Sequence, residues 1–237
     1  LCDFDNSAFE GKPDPVADLE AFHTECIFAD LEIVDKRLQR AKKEQASPAE
    51  VAAFQVAHAA LESERPLRSI PEAELDRGHF KGFGLLTDRP LLVAVNVGED
   101  RAGAPMPPDL ERRIKELDAA GLTLSASVEA DIATMGAEEQ ADFLRELGIE
   151  SSALDRFIRT AYELLDLISY FTVGEDEVRA WTVTRGTKAR RAAGKIHSDL
   201  ERGFIRAEVI PYATFLEHGS EAAVKSAGKL RIEGQDY

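Results

Sequence analysis

Sulfur and large aromatics are scarce in this chain. Its 237 residues include two cysteines, two methionines and one tryptophan. Cys2 and Cys26 make neither a disulfide framework nor a metal-ligand spacing, so a reducing cytoplasm is the expected compartment. No apolar stretch approaches the roughly twenty residues needed to span a bilayer as a helix. The acidic start (Asp3, Asp5, Glu10) is unlike a signal peptide, and none is expected. Positive charge is also short. Against 44 Asp/Glu stand 29 Lys/Arg, and the net charge of −15 excludes the whole chain as a nucleic-acid glove. The deficit is uneven, because Val178 to Ile232 carries eleven Lys/Arg against five Asp/Glu. A basic module on an acidic body invites a polyanionic partner; a merely solvated basic face is the alternative.

What remains suffices for a folded core, with 44% hydrophobic and 31% charged residues. The length permits one large domain or two small ones. The organising stretch is Pro90 to Glu99. It is apolar from Leu91 to Val95 and closes on Asn96-Val97-Gly98-Glu99. Such a run suits a parallel strand buried on both faces. Ligands of open α/β sheets sit at the carboxyl ends of such strands, which makes Asn96 and Glu99 ligand-reading candidates. The competing reading makes Asn96 the start of a turn and points Glu99 into solvent. A second run, Leu122–Ala126, follows a helix-like segment capped by Asp109 and stopped by Gly121.

Residues 1–13 read as loop. Asp14 is a helix N-cap with Pro15 at the first helical position. Val16, Leu19, Phe22, Cys26, Asp30/Leu31, Val34, Leu38 and Ala41 then recur at steps of three and four. That helix runs to about Lys43, roughly 45 Å at about 1.5 Å per residue. Ser47-Pro48-Ala49-Glu50 is a capping box that restarts a second helix, with Val51, Phe54 and Leu61 on its stripe. An antiparallel helical hairpin is expected. Further on, a short helix is expected over Pro71–Glu74, then helices over Glu138–Leu147 and Ser152–Leu167. The last has Leu154, Phe157 and Ile158 facing a sheet. Near Ser169 the period changes to strand lengths, including Phe204–Ile210, with short helices at Tyr212–Glu217 and Glu221–Ser226. His23 and Cys26 share a helix face and read as packing. His197 and Asp199 read as neighbours on a strand, with hydrogen bonding favoured over acid–base chemistry.

Three groups of residues carry a family likeness. Asp14-Pro15 with Asp18-Leu19-Glu20, Ala29-Asp30-Leu31-Glu32 and Asp35-Lys36-Arg37 resembles the helical insert of the YchF-type Obg-like ATPases. Asn96-x-x-Glu99 stands where that family has its altered base-recognition motif. Tyr170-Phe171-Thr172-x-Gly174, Glu177–Thr182, Ala192–His197 and Gly203–Val209 resemble its TGS domain. The likeness implies an α/β fold with four parts. These are the end of the amino-terminal part of the nucleotide domain (1–13), a coiled-coil insert (14–84), the carboxyl-terminal half of a P-loop NTPase sheet (85–168) and a β-grasp TGS domain (169–237) whose last strand is missing. A Walker A loop is not found. Gly-Lys occurs at 11–12, 194–195 and 228–229, never followed by Ser or Thr. The chain is expected to be a fragment, inactive alone, with no catalytic or metal-binding residue of its own.

The resemblance also implies the site. Asn96, Val97 and Glu99 read a purine, and Ser125, Ala126 and Ser127 close over it. Ser127 departs from the lysine of relatives. In guanine-specific relatives the motif is Asn-Lys-x-Asp, whose Asp accepts two bonds from guanine. Glu99 is one methylene longer and Val97 replaces the lysine, so ATP is expected over GTP, with Mg²⁺ held elsewhere in the intact protein. Each lost buried hydrogen bond costs about 1–3 kcal/mol. Arg179, Arg185, Lys188, Arg190, Arg191 and Lys195 are the expected RNA or partner contacts. Trp181 is either core or a stacking platform. The function expected is a ribosome- or RNA-docking ATPase; the alternative is a non-catalytic RNA- or protein-binding module.

Overall fold

A computed structural model describes residues 1–5, 11–174 and 176–237; positions 6–10 of the expected opening loop lie outside the described residues. The chain divides into two compact units, Leu1–Leu164 and Leu165–Tyr237. The boundary expected at Ser169 falls inside a strand.

The first unit opens with a strand, β1 (Cys2–Asp3), where loop was expected. Helix α1 (Pro15–Glu44) follows, capped by Asp14, whose carboxylate accepts from Ala17 N at 3.0 Å. It stops at Gln45, which takes the left-handed conformation at φ 53°. Ser47 caps α2 (Pro48–Glu62) by accepting from Glu50 N. The second helix runs back along the first. Arg37 meets Glu50, Asp35 meets His58, and His23 Nε2 bonds Glu64 O at 2.9 Å. The buried stripe of α1 is Leu19, His23, Ile27, Asp30, Val34 and Ala41. Phe22, assigned to that stripe by spacing, is exposed. Phe54 centres this core, edge-on to Phe80 and Phe83 at 5.2 and 5.0 Å.

Asp30 is fully buried in that apolar stripe. Its Oδ1 accepts from Leu86 N at 2.8 Å; its Oδ2 accepts from Thr87 N at 2.7 Å and Thr87 Oγ1 at 2.6 Å. The same Thr87 offers its carbonyl to Arg68 N. Long-range satisfaction therefore orders the stretch after α2, which has 3-10 turns at Leu67–Ser69 and Arg77–Phe80. Pro71–Glu74 makes one turn, closed by Glu74 N on Pro71 O, and not a helix.

Strand β2 (Leu92–Val97) lies between β1 and β3 (Ala120–Leu124), all parallel. Only one face of β2 is fully buried, through Val93, Val95 and Val97, in place of the two expected. These valines pack with Leu19 of α1 and with Leu110, Ile114 and Leu117 from and just after α3 (Pro108–Glu116). Pro107, not Asp109, precedes that helix, and it ends at Leu117 with Asp118 at φ 50°. Gly121 lies inside β3. A Cβ there would meet Met106 Cε at 2.9 Å, so the glycine permits close packing and does not stop a helix. Beyond β3 come α4 (Ala126–Ile132), α5 (Ala137–Glu146) and α6 (Ala153–Leu164). On α6, Leu154, Phe157 and Ile158 are exposed, although a sheet-facing role was expected.

The second unit pairs β4 (Leu167–Val173) with β5 (Val178–Thr184), antiparallel, then adds α7 (Ala189–Ile196) and α8 (Ser198–Arg202). A second antiparallel pair joins β6 (Ala207–Val209) to β7 (Arg231–Glu233), with α9 (Tyr212–His218) and α10 (Glu221–Ser226) between. The expected strand Phe204–Ile210 is thus shorter. His197 is no strand residue: it stands between α7 and α8, and its Nδ1 accepts from Asp199 N at 3.1 Å. Tyr170 donates to Ala192 O at 2.7 Å, tying β4 to α7.

Asp30→Ala should cost unit 1 about 3 kcal/mol or more, because two backbone N–H groups and a hydroxyl lose their acceptor. Asp30→Asn keeps one acceptor oxygen and should cost less. Urea unfolding of the two variants tests this ranking, and equal losses would refute it. Phe54→Ala should cost about 3–5 kcal/mol in the same assay.

Candidate functional site

Parallel strands deliver their carboxyl ends to one edge of a sheet. Here Asn96 lies opposite Leu124, the last residue of β3, so the chains leaving both strands are neighbours. Asn96 Oδ1 accepts from Ala126 N at 2.9 Å. That N–H is in the first turn of α4, where backbone donors have no partner within the helix. With its oxygen committed, Asn96 has its Nδ2 donors left for a ligand. Ser125 is buried and pairs with Ser127 through their hydroxyls at 3.1 Å. Val97 is buried in the core, so its backbone and not its side chain would meet a ligand. Glu99 opens a 3-10 turn, Glu99–Arg101, and is exposed. No carboxylate contact is found for Glu99 among the described residues. Asn96, Ser125, Ala126 and Ser127 are therefore adjacent, while Glu99 stands on the turn that leaves β2.

Sequence reasoning missed the groups that hold this turn. Arg101 Nη1 donates to Asp3 Oδ2 at 2.9 Å, and its Nη2 donates to Asp3 O. A Cβ on Gly98 would meet Asp100 Oδ1 at 2.6 Å and Phe4 Cβ at 3.7 Å. Ala102 is buried with Val128 and Ile132 of α4. Nothing in the local sequence pairs positions 98 apart. The one available hint was a cation two residues beyond Glu99.

The six cations named from sequence all belong to the second unit and are exposed. Lys188 precedes α7, and Arg190, Arg191 and Lys195 lie on it. Lys188 Nζ donates to Asp236 O at 2.8 Å and Arg190 Nε to Glu201 O at 3.2 Å. Carbonyl contacts of this kind orient a cation without neutralising it. Arg191 approaches Glu201 at 3.6 Å, and Arg185 pairs with Asp166 at 2.9 Å. Arg179 sits 4.5 Å over the Trp181 ring, whose Nε1 donates to Thr172 Oγ1 at 2.9 Å. Arg179 lies on β5 and Arg185 directly follows it, ahead of the α7 group.

Perturbed groups lie elsewhere. Burial holds the Arg68 guanidinium below its ordinary value, and Nε donates to Leu117 O at 2.9 Å. Burial, then the nearby Asp30, pushes the Cys26 thiol up, which makes it a poor nucleophile. Burial likewise raises the Tyr170 phenol. Among the described residues no group of three or more His, Cys, Asp or Glu could hold a metal ion.

Comparison with known proteins fits this geometry. The family model described as "YchF-GTPase_C: Protein of unknown function (DUF933)" matches residues 167–237. The chain is 44% identical over 237 residues to the ribosome-binding ATPase YchF of Bacillus subtilis, covering 96% of this chain and 64% of that protein. It is 34% identical over 252 residues to Obg-like ATPase 1 of Bos taurus, covering 99% of this chain and 62% of that protein. The chain therefore spans a little under two thirds of the length of these curated relatives. The solved Schizosaccharomyces pombe YchF GTPase superposes with a TM-score of 0.86 at 30% identity, covering 100% of this chain and 68% of the other. On this likeness of sequence and structure, the chain belongs to the YchF/Obg-like ATPase family.

Proposed function

We propose that this chain supplies the base-reading half of a nucleotide site in a translation-associated P-loop ATPase, together with a basic face for RNA or the ribosome. The observation that carries the first part is the Asn96–Ala126 bond. It joins two loops at the carboxyl ends of neighbouring parallel strands, one of which carries Glu99, whose carboxylate has no contact among the described residues. The names of the relatives, ribosome-binding ATPase and Obg-like ATPase, support the class. Asn96 Nδ2 donates to a ring acceptor, the Val97 backbone meets the exocyclic group, and the Ser125–Ser127 turn covers the ring. Glu99 accepts from an exocyclic amine. Its extra methylene spoils the two-bond match to guanine, so adenine is preferred. The phosphate loop and the Mg²⁺ ligands come from another part of the parent protein, and no step is assigned to the ion. The parent works in the cytoplasm. Its helical insert (14–84) and β-grasp TGS domain (169–237) form the docking parts.

The test is nucleotide affinity of the full-length parent. ATP should bind more tightly than GTP. Glu99→Asp should move the ratio toward GTP by about tenfold, the equivalent of one recovered hydrogen bond. An unaltered ratio would overturn the base assignment.

The α7 cations support the second part. Lys188 and Arg190 are oriented by carbonyls and keep their charge. Changing Arg190, Arg191 and Lys195 to Glu should weaken RNA binding by the full-length protein. It should also flatten the dependence of log K on log salt by roughly 0.7–0.9 per phosphate contact removed. Binding and slope left unchanged would reduce the face to solvated charge and favour the reading of unit 2 as a protein-binding module.

A further inference from the structure

The turn carrying Glu99 needs a fixed position if its carboxylate is to discriminate between bases. The turn's own hydrogen bonds are local: Arg101 N donates to Gly98 O at 3.0 Å and Ala102 N to Glu99 O at 3.1 Å. Those bonds shape the turn but do not anchor it to the sheet. Anchorage comes from outside. Arg101 reaches the end of β1 and grips one residue twice, at the Asp3 carboxylate and the Asp3 carbonyl. Asp3 itself is registered on the sheet, opposite Val97. On the other flank, Ala102 is buried against Val128 and Ile132 of α4, the helix whose first turn Asn96 satisfies.

We infer that Asp3 and Arg101 are the positioning pair of the base site, holding the Glu99 turn in register with Asn96 and keeping the Glu99 carboxylate unpaired. The inference rests on the reading of Asn96 and Glu99 as base contacts. Its chemistry has two parts. A guanidinium bound at two points resists rotation as well as translation, which a single contact does not. It is also the cation nearest Glu99 in sequence. Left free, it would compete with the nucleotide for the Glu99 carboxylate; held by Asp3, it cannot. Asp3 is largely buried and its partner more open, so water competes weakly at the carboxylate end of the pair. The pair touches no reacting atom. It acts through Glu99 on the choice of base, and the phosphate grip lies outside its reach.

The experiment uses the full-length parent protein and five variants: Arg101→Ala, Arg101→Lys, Asp3→Asn, the Asp3→Asn/Arg101→Ala double variant and, as a control on the underlying reading, Glu99→Ala. Affinities for ATP, GTP and inorganic tripolyphosphate are measured by competition. Arg101→Ala should lower ATP affinity on the order of tenfold, as expected for a misplaced contact group. It should bring the ATP/GTP ratio toward one and leave tripolyphosphate unchanged. Arg101→Lys, which keeps the charge but not the two-point grip, should recover only part of the ratio. Asp3→Asn should lower ATP affinity, and adding Arg101→Ala to it should cost less than the two single losses combined. A general loss of folding would reduce all three ligands together; in that case Arg101→Lys, the milder change, decides by its ratio alone. If Glu99→Ala shifts the ratio and neither Arg101 variant does, the positioning role is overturned and the base site stands. If Glu99→Ala also leaves the ratio unchanged, the base site itself is overturned, and the positioning role falls with it.

Discussion

The parallel register of β2 on β3 is the constraint from which the site follows. With Asn96 opposite Leu124, the chain leaves β3 at Ser125 and begins α4 within reach of the Asn96 side chain. The bond from Ala126 N to Asn96 Oδ1 then serves two needs. It satisfies a helix-terminal donor that has no partner within α4, and it fixes the orientation of the Asn96 amide. A slip of one residue would turn Asn96 to the other face of the sheet and bury a polar group where Val95 or Val97 now packs. Packing therefore enforces the geometry on which the proposed base site depends. The valines on the buried face are the reason Asn96 points where it does.

Charges in the first unit divide by what they do. Pairs along one helix, such as Lys115 with Glu111, are exposed and contribute little to stability. Pairs that join distant segments carry positional information. Arg113 of α3 grips Glu20 of α1 through two contacts, 93 positions apart, and Arg101 grips Asp3 over a similar separation. Asp30 is the extreme case, a carboxylate whose partners are two backbone N–H groups and a hydroxyl, with no ion pair among the described residues. Removing a partner from such a site strands a buried polar group, which is costlier than losing a surface pair. It also fixes the stretch that leads into β2, so the helical pair and the site-bearing strand share one anchor.

Local chemistry was legible in the sequence, and long-range satisfaction was not. Asp14-Pro15 and Ser47-Pro48 mark helix starts because a cap is completed within three residues. The strand of Leu92–Val97 and the Asn96–Glu99 motif were visible for the same reason. Asp30 lay on the apolar stripe by spacing, but its partners, 56 and 57 residues away, left no local signal. Two features were misread. Gly121 looked like a helix stop, although its role is to admit Met106 and Ile114 against β3. His197 looked like a strand residue, although its ring caps a turn of helix. The latch between Asp3 and Arg101 had no local signal, since neither residue is unusual where it stands.

The basic face of the second unit runs against its own helix. Lys188, Arg190 and Arg191 crowd the amino-terminal end of α7, where the backbone dipole already presents positive charge. A cation placed there is disfavoured by roughly 0.3–1 kcal/mol. Two carbonyls from the chain's last residues offset part of the cost: Tyr237 O accepts from Ala189 N at 2.8 Å, and Asp236 O accepts from Lys188 Nζ. Arg191 approaches Glu201, but Lys188 and Arg190 are held by carbonyls, so positive charge survives at this helix end. Arg185, by contrast, pairs with the Asp166 carboxylate at 2.9 Å. A local preference broken at one helix end, with compensation that orients the charges and does not cancel them, is consistent with the proposed polyanion-binding role of this face.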